Sequence, residues 1–397
     1  MSVVSEEMKK NVAANSAIRQ MFEEGKKRAA IYGSENVFDF SIGNPSVAVP
    51  KRVKEAILEV LEEENELELH GYMSNAGYPD VRRKIAESIN KKYGSNFGEN
   101  NVVMTVGAGG ALSVVFKAIL NPGDEVIVIR PYFFEYNNYV KNNGGKIVQV
   151  EPDLKDFSIN FEDLEEKITA KTRAVIINSP NNPSGTIYSE DTLKKLGNLL
   201  EEKGKEYSTS ILVVSDEPYR ELAYDGVEVP FIPNIINNAV IAYSWSKTLS
   251  IPGERIGYIL VSDKIEDADE LFNACAIAVR TLGFVNAPSL IQKVVAKCLD
   301  VKVDINVYDK NRKTLFEGLT NIGYECVKPQ GAFYMFVKAP IEDENKFVEK
   351  CKEKNIMLVG GSAFACPGYV RISYCTSYES IKNSLPKFEE VYKELLK

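Results

Sequence analysis

From position 102 onward, short runs rich in Val and Ile alternate with longer stretches of helical period, which predicts a mainly parallel sheet with crossover helices. The runs cover 102–106, 125–129, 146–150, 174–177, 211–214, 240–243 and 257–261, so seven strands are expected. Five of them are followed by segments rich in Gly, Pro and polar residues: Gly107 to Ala111, Arg130 to Phe133, Asn178 to Pro183, Ser215 to Tyr219, and Ser244 to Lys247. In open parallel sheets the ligand crevice lies beyond the carboxyl ends of the strands, so these five segments are expected to converge.

Outside this block the pattern is weaker. Residues 1–30 read as an amphipathic arm, with Ile18, Met21 and Phe22 on one side of a helix ending near Gly25. An extended run at 38–42 is broken by Gly43-Asn44-Pro45, and helical periods follow at 53–61 and 81–93. A long helix starting near Pro288 and a second at 307–319 lead to a smaller, mixed unit with extended runs at 333–337, 356–359 and 370–374, a helix near 346–353 and a last amphipathic helix. The fold class expected is α/β: a large domain over 47–286 with a mainly parallel seven-stranded sheet flanked by helices, plus a smaller α+β domain made of 1–46 together with 287–397.

A chain of 397 residues with 44% apolar composition has ample material for such a core. The net charge of −8 argues against general affinity for nucleic acid or anionic membrane. No window of about twenty apolar residues offers a membrane span, and Met1 to Lys10 lacks the apolar core of a signal peptide. Six cysteines without Cys-x-x-Cys spacing suit reduced thiols and a cytoplasmic setting, and a single histidine, His70, makes a metal site unexpected.

The candidate chemistry centres on Lys247. It is preceded by Ser244 and Ser246 and followed by Arg255, an amine beside groups that bind phosphate. That combination suits a cofactor with both an aldehyde and a phosphate, and pyridoxal 5′-phosphate has both. Asp216 is placed to pair with a protonated pyridine nitrogen, Tyr219 and Asn182 to hydrogen-bond the phenolic oxygen, and Phe133 to stack on the ring. Ala108 and Gly109, before an apolar helix at 112–120, are expected to give backbone N–H groups to the phosphate. Arg371 offers a planar fork for a substrate carboxylate, and Arg280 is a second candidate for a substrate anion.

With these residues assembled, the chain resembles the class I pyridoxal-phosphate aminotransferases, fold type I, over nearly its whole length. Ser244-x-Ser246-Lys247 with Gly253-x-Arg255-x-Gly257 resembles the family's Schiff-base lysine motif. Asp216-Glu217-Pro218-Tyr219, Asn182-Pro183-Ser184-Gly185 and Arg371-Ile372-Ser373 resemble three further family motifs. The resemblance implies a homodimer with shared active sites, in which Tyr72 serves the phosphate of the neighbouring subunit's cofactor and Gly43 lies by the substrate carboxylate. It implies ping-pong transfer of an amino group from an L-amino acid to a 2-oxo acid, with Lys247 first holding the cofactor and then moving the substrate proton.

Aspartate with 2-oxoglutarate is the first expectation for the substrates, because Arg280 stands near the place where aspartate-using relatives carry an arginine for the side-chain carboxylate. The lysine that another aspartate-using group has beside the Gly-rich loop is replaced here by Gly109 and Gly110. Aromatic or small neutral donors stay open, as does carbon–sulfur β-lyase chemistry on the same scaffold. A cofactor-binding DNA regulator is disfavoured by the negative charge and the lack of a spare helix-turn-helix.

Overall fold

The computed structural model describes residues 2–13 and 17–397. Its centre is a seven-stranded sheet whose strands, in chain order, are β1 (Val102–Thr105), β2 (Glu125–Ile129), β3 (Lys146–Val150), β4 (Thr172–Asn178), β5 (Leu212–Asp216), β6 (Ala239–Ser244) and β7 (Gly257–Val261). Their spatial order is β1-β7-β6-β5-β4-β2-β3. All pairings are parallel except the two made by β7, which runs antiparallel to β1 and β6.

Alternate residues of each strand feed opposite faces, and both faces are covered, which is why the strands read as nearly unbroken apolar runs. On one face Val126, Val128, Val214 and Val240 pack with Leu112 and Phe116 of the helix Gly107–Ile119 and with Cys275 and Val279 of the helix Ala268–Thr281. On the other, Ile127, Ile129 and Val213 meet the helix Glu190–Tyr207, while Met104, Ile241 and Tyr243 meet the helices Lys51–Glu63, Pro79–Tyr93 and Ser289–Ala296.

A separate core gathers Phe38 and Phe40 with Tyr308, Leu315, Phe333, Phe347, Ile372 and Phe388. Around it stand a three-stranded antiparallel sheet (Tyr334–Lys338, Tyr369–Ser373, Val359–Gly360) and the helices Asn306–Ile322, Glu344–Glu353 and Tyr378–Leu395. Tyr219, Leu222 and Tyr224 reach into it from the segment after β5.

The structure corrects several expected boundaries. The helix expected to end near Gly25 runs from Ala17 to Tyr32, because Gly25 is an internal close-packing point: an added Cβ would lie 3.1 Å from an Asp39 carboxylate oxygen. The extended run at 38–42 shrinks to Phe38–Asp39, paired with Ile356–Met357. The run at 356–359 splits between two sheets. Pro288 caps a short helix, Ser289–Ala296, and does not start a long one. The Gly-rich run does not precede its helix; Gly107 is the first residue of it. Part of the expected arm, residues 1 and 14–16, lies outside the described residues. Among those described, no helix is long and apolar enough to cross a membrane.

Candidate active site

Because β1, β2, β4, β5 and β6 run the same way, their carboxyl ends share one edge of the sheet, and the segments that follow them meet there. They enclose a cavity of about 250 Å³. Ala108 and Gly109 line it from after β1, Phe133 from after β2, Asn182 from after β4, Asp216 and Tyr219 from β5 and its turn, and Lys247 from after β6. Gly43 and Arg371 close it from the side of the second core.

Lys247 Nζ donates to the Gly43 carbonyl at 2.8 Å. Burial lowers its pKa to about 8, so a neutral amine is accessible just above neutrality. Asp216 is buried at the end of β5, where Oδ2 accepts from the Tyr136 hydroxyl at 2.6 Å and Oδ1 has no partner. Desolvation pushes its pKa up to about 7. A buried carboxylate oxygen left without a donor, in a cavity that also holds a reactive amine, fits a protonated ring nitrogen.

The Asn182 loop is tied to the sheet by Asn178, whose side chain accepts from the Asn182 backbone N–H at 2.7 Å and donates to the Asp216 carbonyl at 2.8 Å. Asn182 Oδ1 in turn accepts from Arg371 Nη1 at 3.1 Å, and Arg371 Nη2 donates to the Ser41 carbonyl. Arg371 is fully buried, stacked on the rings of Tyr334 and Phe364, and its Nε has no partner. Desolvation lowers its pKa from the usual arginine value, with no carboxylate beside it. Such a cation suits an incoming anion.

The helix Gly107–Ile119 points its N-terminus at the cavity, and the Arg255 guanidinium lies over Gly107, 3.0 Å from where a Cβ would stand. The reversed β7 makes this contact. Its first residue, Gly257, pairs with both Ser244 and Thr105, which brings the residues just before it to the same edge as the lysine. Backbone donors, a helix N-terminus and a guanidinium together fit a phosphate.

Not every expected residue lines this cavity. Ser244 and Ser246 are buried next to Lys247 but are not among the lining residues, and Arg255 stands exposed at the cavity's phosphate side. Tyr72 is 93% exposed and Arg280 is exposed at the end of its helix, both outside the cavity of their own chain. Tyr136, Asn178 and Tyr334 were not singled out from the sequence. Neither tyrosine carries a sequence signal that separates it from a core aromatic, and Asn178, the first residue of a segment expected at the crevice, was given no role of its own.

The family model for aminotransferase class I and II matches residues 35–387. The chain is 32% identical over 393 residues to the aspartate/prephenate aminotransferase of Thermus thermophilus, covering 96% of this chain and 95% of that one. Among solved structures, an amino transferase from Eubacterium rectale superimposes with a TM-score of 0.97 at 52% identity, covering 100% of both chains. The aspartate aminotransferase of Thermus thermophilus solved with maleate superimposes with a TM-score of 0.84 at 29% identity, covering 98% of this chain and 100% of that one. With a match spanning most of its length and a cavity whose groups suit the cofactor, the chain belongs to the class I and II aminotransferases and is a transaminase dependent on pyridoxal phosphate.

Proposed function

We propose that this transaminase moves the amino group of L-aspartate to 2-oxoglutarate by ping-pong kinetics, in a homodimer whose subunits share their active sites. The observation that carries the site is the meeting of Lys247, Asp216 and Arg371 in one cavity. When bound, pyridoxal phosphate supplies an electron sink for the charge that develops at the substrate Cα. Arg371 and Asn182 hold the α-carboxylate, beside the backbone of Gly43. Lys247 Nζ takes the proton from Cα in one half-reaction and delivers it to carbon 2 of the oxo acid in the other. Asp216 Oδ1 would accept from the protonated ring nitrogen, and the Tyr219 hydroxyl would donate to the ring oxygen. Ala108, Gly109, Ser244, Ser246 and Arg255 are the residues assigned to the phosphate, and Phe133, which lines the cavity, would pack on the ring.

The dimer is supported by an exposed apolar patch of Ile277, Phe284 and Val285. The stretch following Tyr72 is fastened beside it: Asn75 donates to the Val285 carbonyl at 2.8 Å and Asn286 to the Met73 carbonyl at 3.0 Å. Tyr72 and Arg280, both exposed near that patch in sequence, are the residues a second copy would cover; Arg280 is the cation proposed for a second substrate carboxylate in the shared site. The relative solved with maleate, a four-carbon dicarboxylate, supports the same substrate class. The separate core around Phe333 and Phe388 supports a smaller unit that closes over the larger one; the boundaries proposed for the two are 1–46 with 287–397 and 47–286, with the helix Ser289–Ala296 packed in the core of the larger. Six free cysteines suit a reducing cytoplasm.

One observation favours a second reading. Within the chain itself Ile18, Ile42 and Leu112 are among the residues lining the cavity, and Lys247 and Arg371 are its cations, which suits neutral or aromatic donors. Comparing kcat/KM for aspartate, alanine and phenylalanine in the wild type and Arg280→Ala separates the two. The first reading expects aspartate to lead and the variant to lose at least about thirtyfold for aspartate alone, the scale of one buried charge pair. Unchanged aspartate turnover in Arg280→Ala gives the second.

A further inference from the structure

Tyr334 stands where three groups of the site cross, and the roles above do not use it. It is buried at the start of the strand Tyr334–Lys338 and lines the cavity. Its hydroxyl lies 3.0 Å from that of Tyr219, and the two rings meet edge to face with centroids 5.7 Å apart. The Arg371 guanidinium sits over its ring, 4.6 Å from the centroid. The same hydroxyl abuts Gly43, where an added Cβ would overlap the phenol, and the Gly43 carbonyl is the acceptor for Lys247.

A phenol that gives its proton to an anionic oxygen is a stronger donor when its own oxygen accepts a second hydrogen bond. Tyr219 is buried, and Tyr334 is in position to supply that bond. The ring does separate work. Its π face meets the buried Arg371 guanidinium, whose hydrogen bonds go to Asn182 and the Ser41 carbonyl, fixing the plane of the fork at the cost of none of its N–H donors.

We propose that Tyr334 is a positioning residue with two separable actions: its hydroxyl holds the Tyr219 hydroxyl as a donor toward the cofactor's ring oxygen, and its ring holds Arg371 open to the substrate carboxylate. The proposal rests on the reading of this cavity as the transaminase centre. The ionisable groups that face the pair are Asp216, Lys247, Arg371 and Cys375, and a Tyr334→Phe exchange replaces none of them.

The test uses the full chain loaded with pyridoxal phosphate and four variants: Tyr334→Phe, Tyr334→Leu, Tyr219→Phe and the double Tyr219→Phe/Tyr334→Phe. Absorbance of the bound cofactor is followed against pH, and steady-state kinetics are measured alongside. Tyr334→Phe keeps the packing and is expected to raise the absorbance midpoint by about half a pH unit and lower kcat about fivefold, with KM within about twofold. Tyr334→Leu is expected to raise KM for the amino donor by about tenfold in addition, because the ring over Arg371 is gone. On the Tyr219→Phe background, Tyr334→Phe is expected to move the midpoint no further. An unmoved midpoint in Tyr334→Phe, or the same shift with and without Tyr219, overturns the proposal. A wild type that takes up no cofactor overturns the transaminase reading with it.

Discussion

Asp216 keeps its two oxygens in different circumstances: one accepts from Tyr136, and the other is buried without a donor. In the cofactor-free protein the carboxylate is therefore a burden. Its folded pKa of about 7 lies above the ordinary 3.8, so the folded state holds the extra proton between those values and stability falls as pH rises through that window. The penalty is absent below the lower value and complete above the upper. Asp216→Asn is expected to raise the unfolding free energy of cofactor-free protein at pH 8 by on the order of 2 kcal/mol, with the gain gone by about pH 4. Denaturant melts at the two pH values check this, and the same variant is expected to lose cofactor affinity and transamination. Asp216 was legible because it ends an apolar strand beside Tyr219. Tyr136 was not, since nothing in Phe133-Phe134-Glu135-Tyr136 separates a phenol that serves a carboxylate from one that fills the core.

At the scale of elements, all seven strands of the sheet stand where the apolar runs placed them, and their ends meet as the ligand-crevice rule requires. Strand direction was another matter. The run Gly257 to Val261 shows burial on both faces but carries no mark of which way it runs, so the reversal of β7 appears only in the pairing. That reversal makes Gly257 a crossing point: an added Cβ would press on the Tyr243 carbonyl and on the Gly107 backbone. Backbone cannot yield as a side chain can. Gly257→Ala is expected to cost about 2–3 kcal/mol of stability in a denaturant melt and to weaken phosphate binding, because Gly107 opens the helix that faces it. Gly25 shows the converse, a glycine that reads as a helix stop and is in fact a contact with Asp39.

For the whole molecule, two residues placed at the site by family resemblance, Tyr72 and Arg280, stand exposed and away from their own cavity. No periodicity could have assigned them, because in the proposed dimer their partners belong to another copy. If sites are shared, mixing the Lys247→Ala and Tyr72→Ala chains forms heterodimers with one intact site and one site bearing both lesions. Neither parent being competent, the equilibrated mixture is expected to recover about a quarter of wild-type activity, as random pairing in a two-fold dimer dictates. Recovery near zero, with dimers present by sedimentation, would place Tyr72 in its own subunit's service.

The reversed strand also sets a length rule. Ser244 and Gly257 are held opposite one another by the β6–β7 pairing, so residues 245–256 form a closed span whose near end bears the amine and whose far end bears the guanidinium over Gly107. Inserting or deleting one residue there leaves both strands paired and the seven-stranded sheet intact, yet re-aims one charge relative to the other. Among relatives and in laboratory libraries alike, this span should therefore vary in composition far more readily than in length.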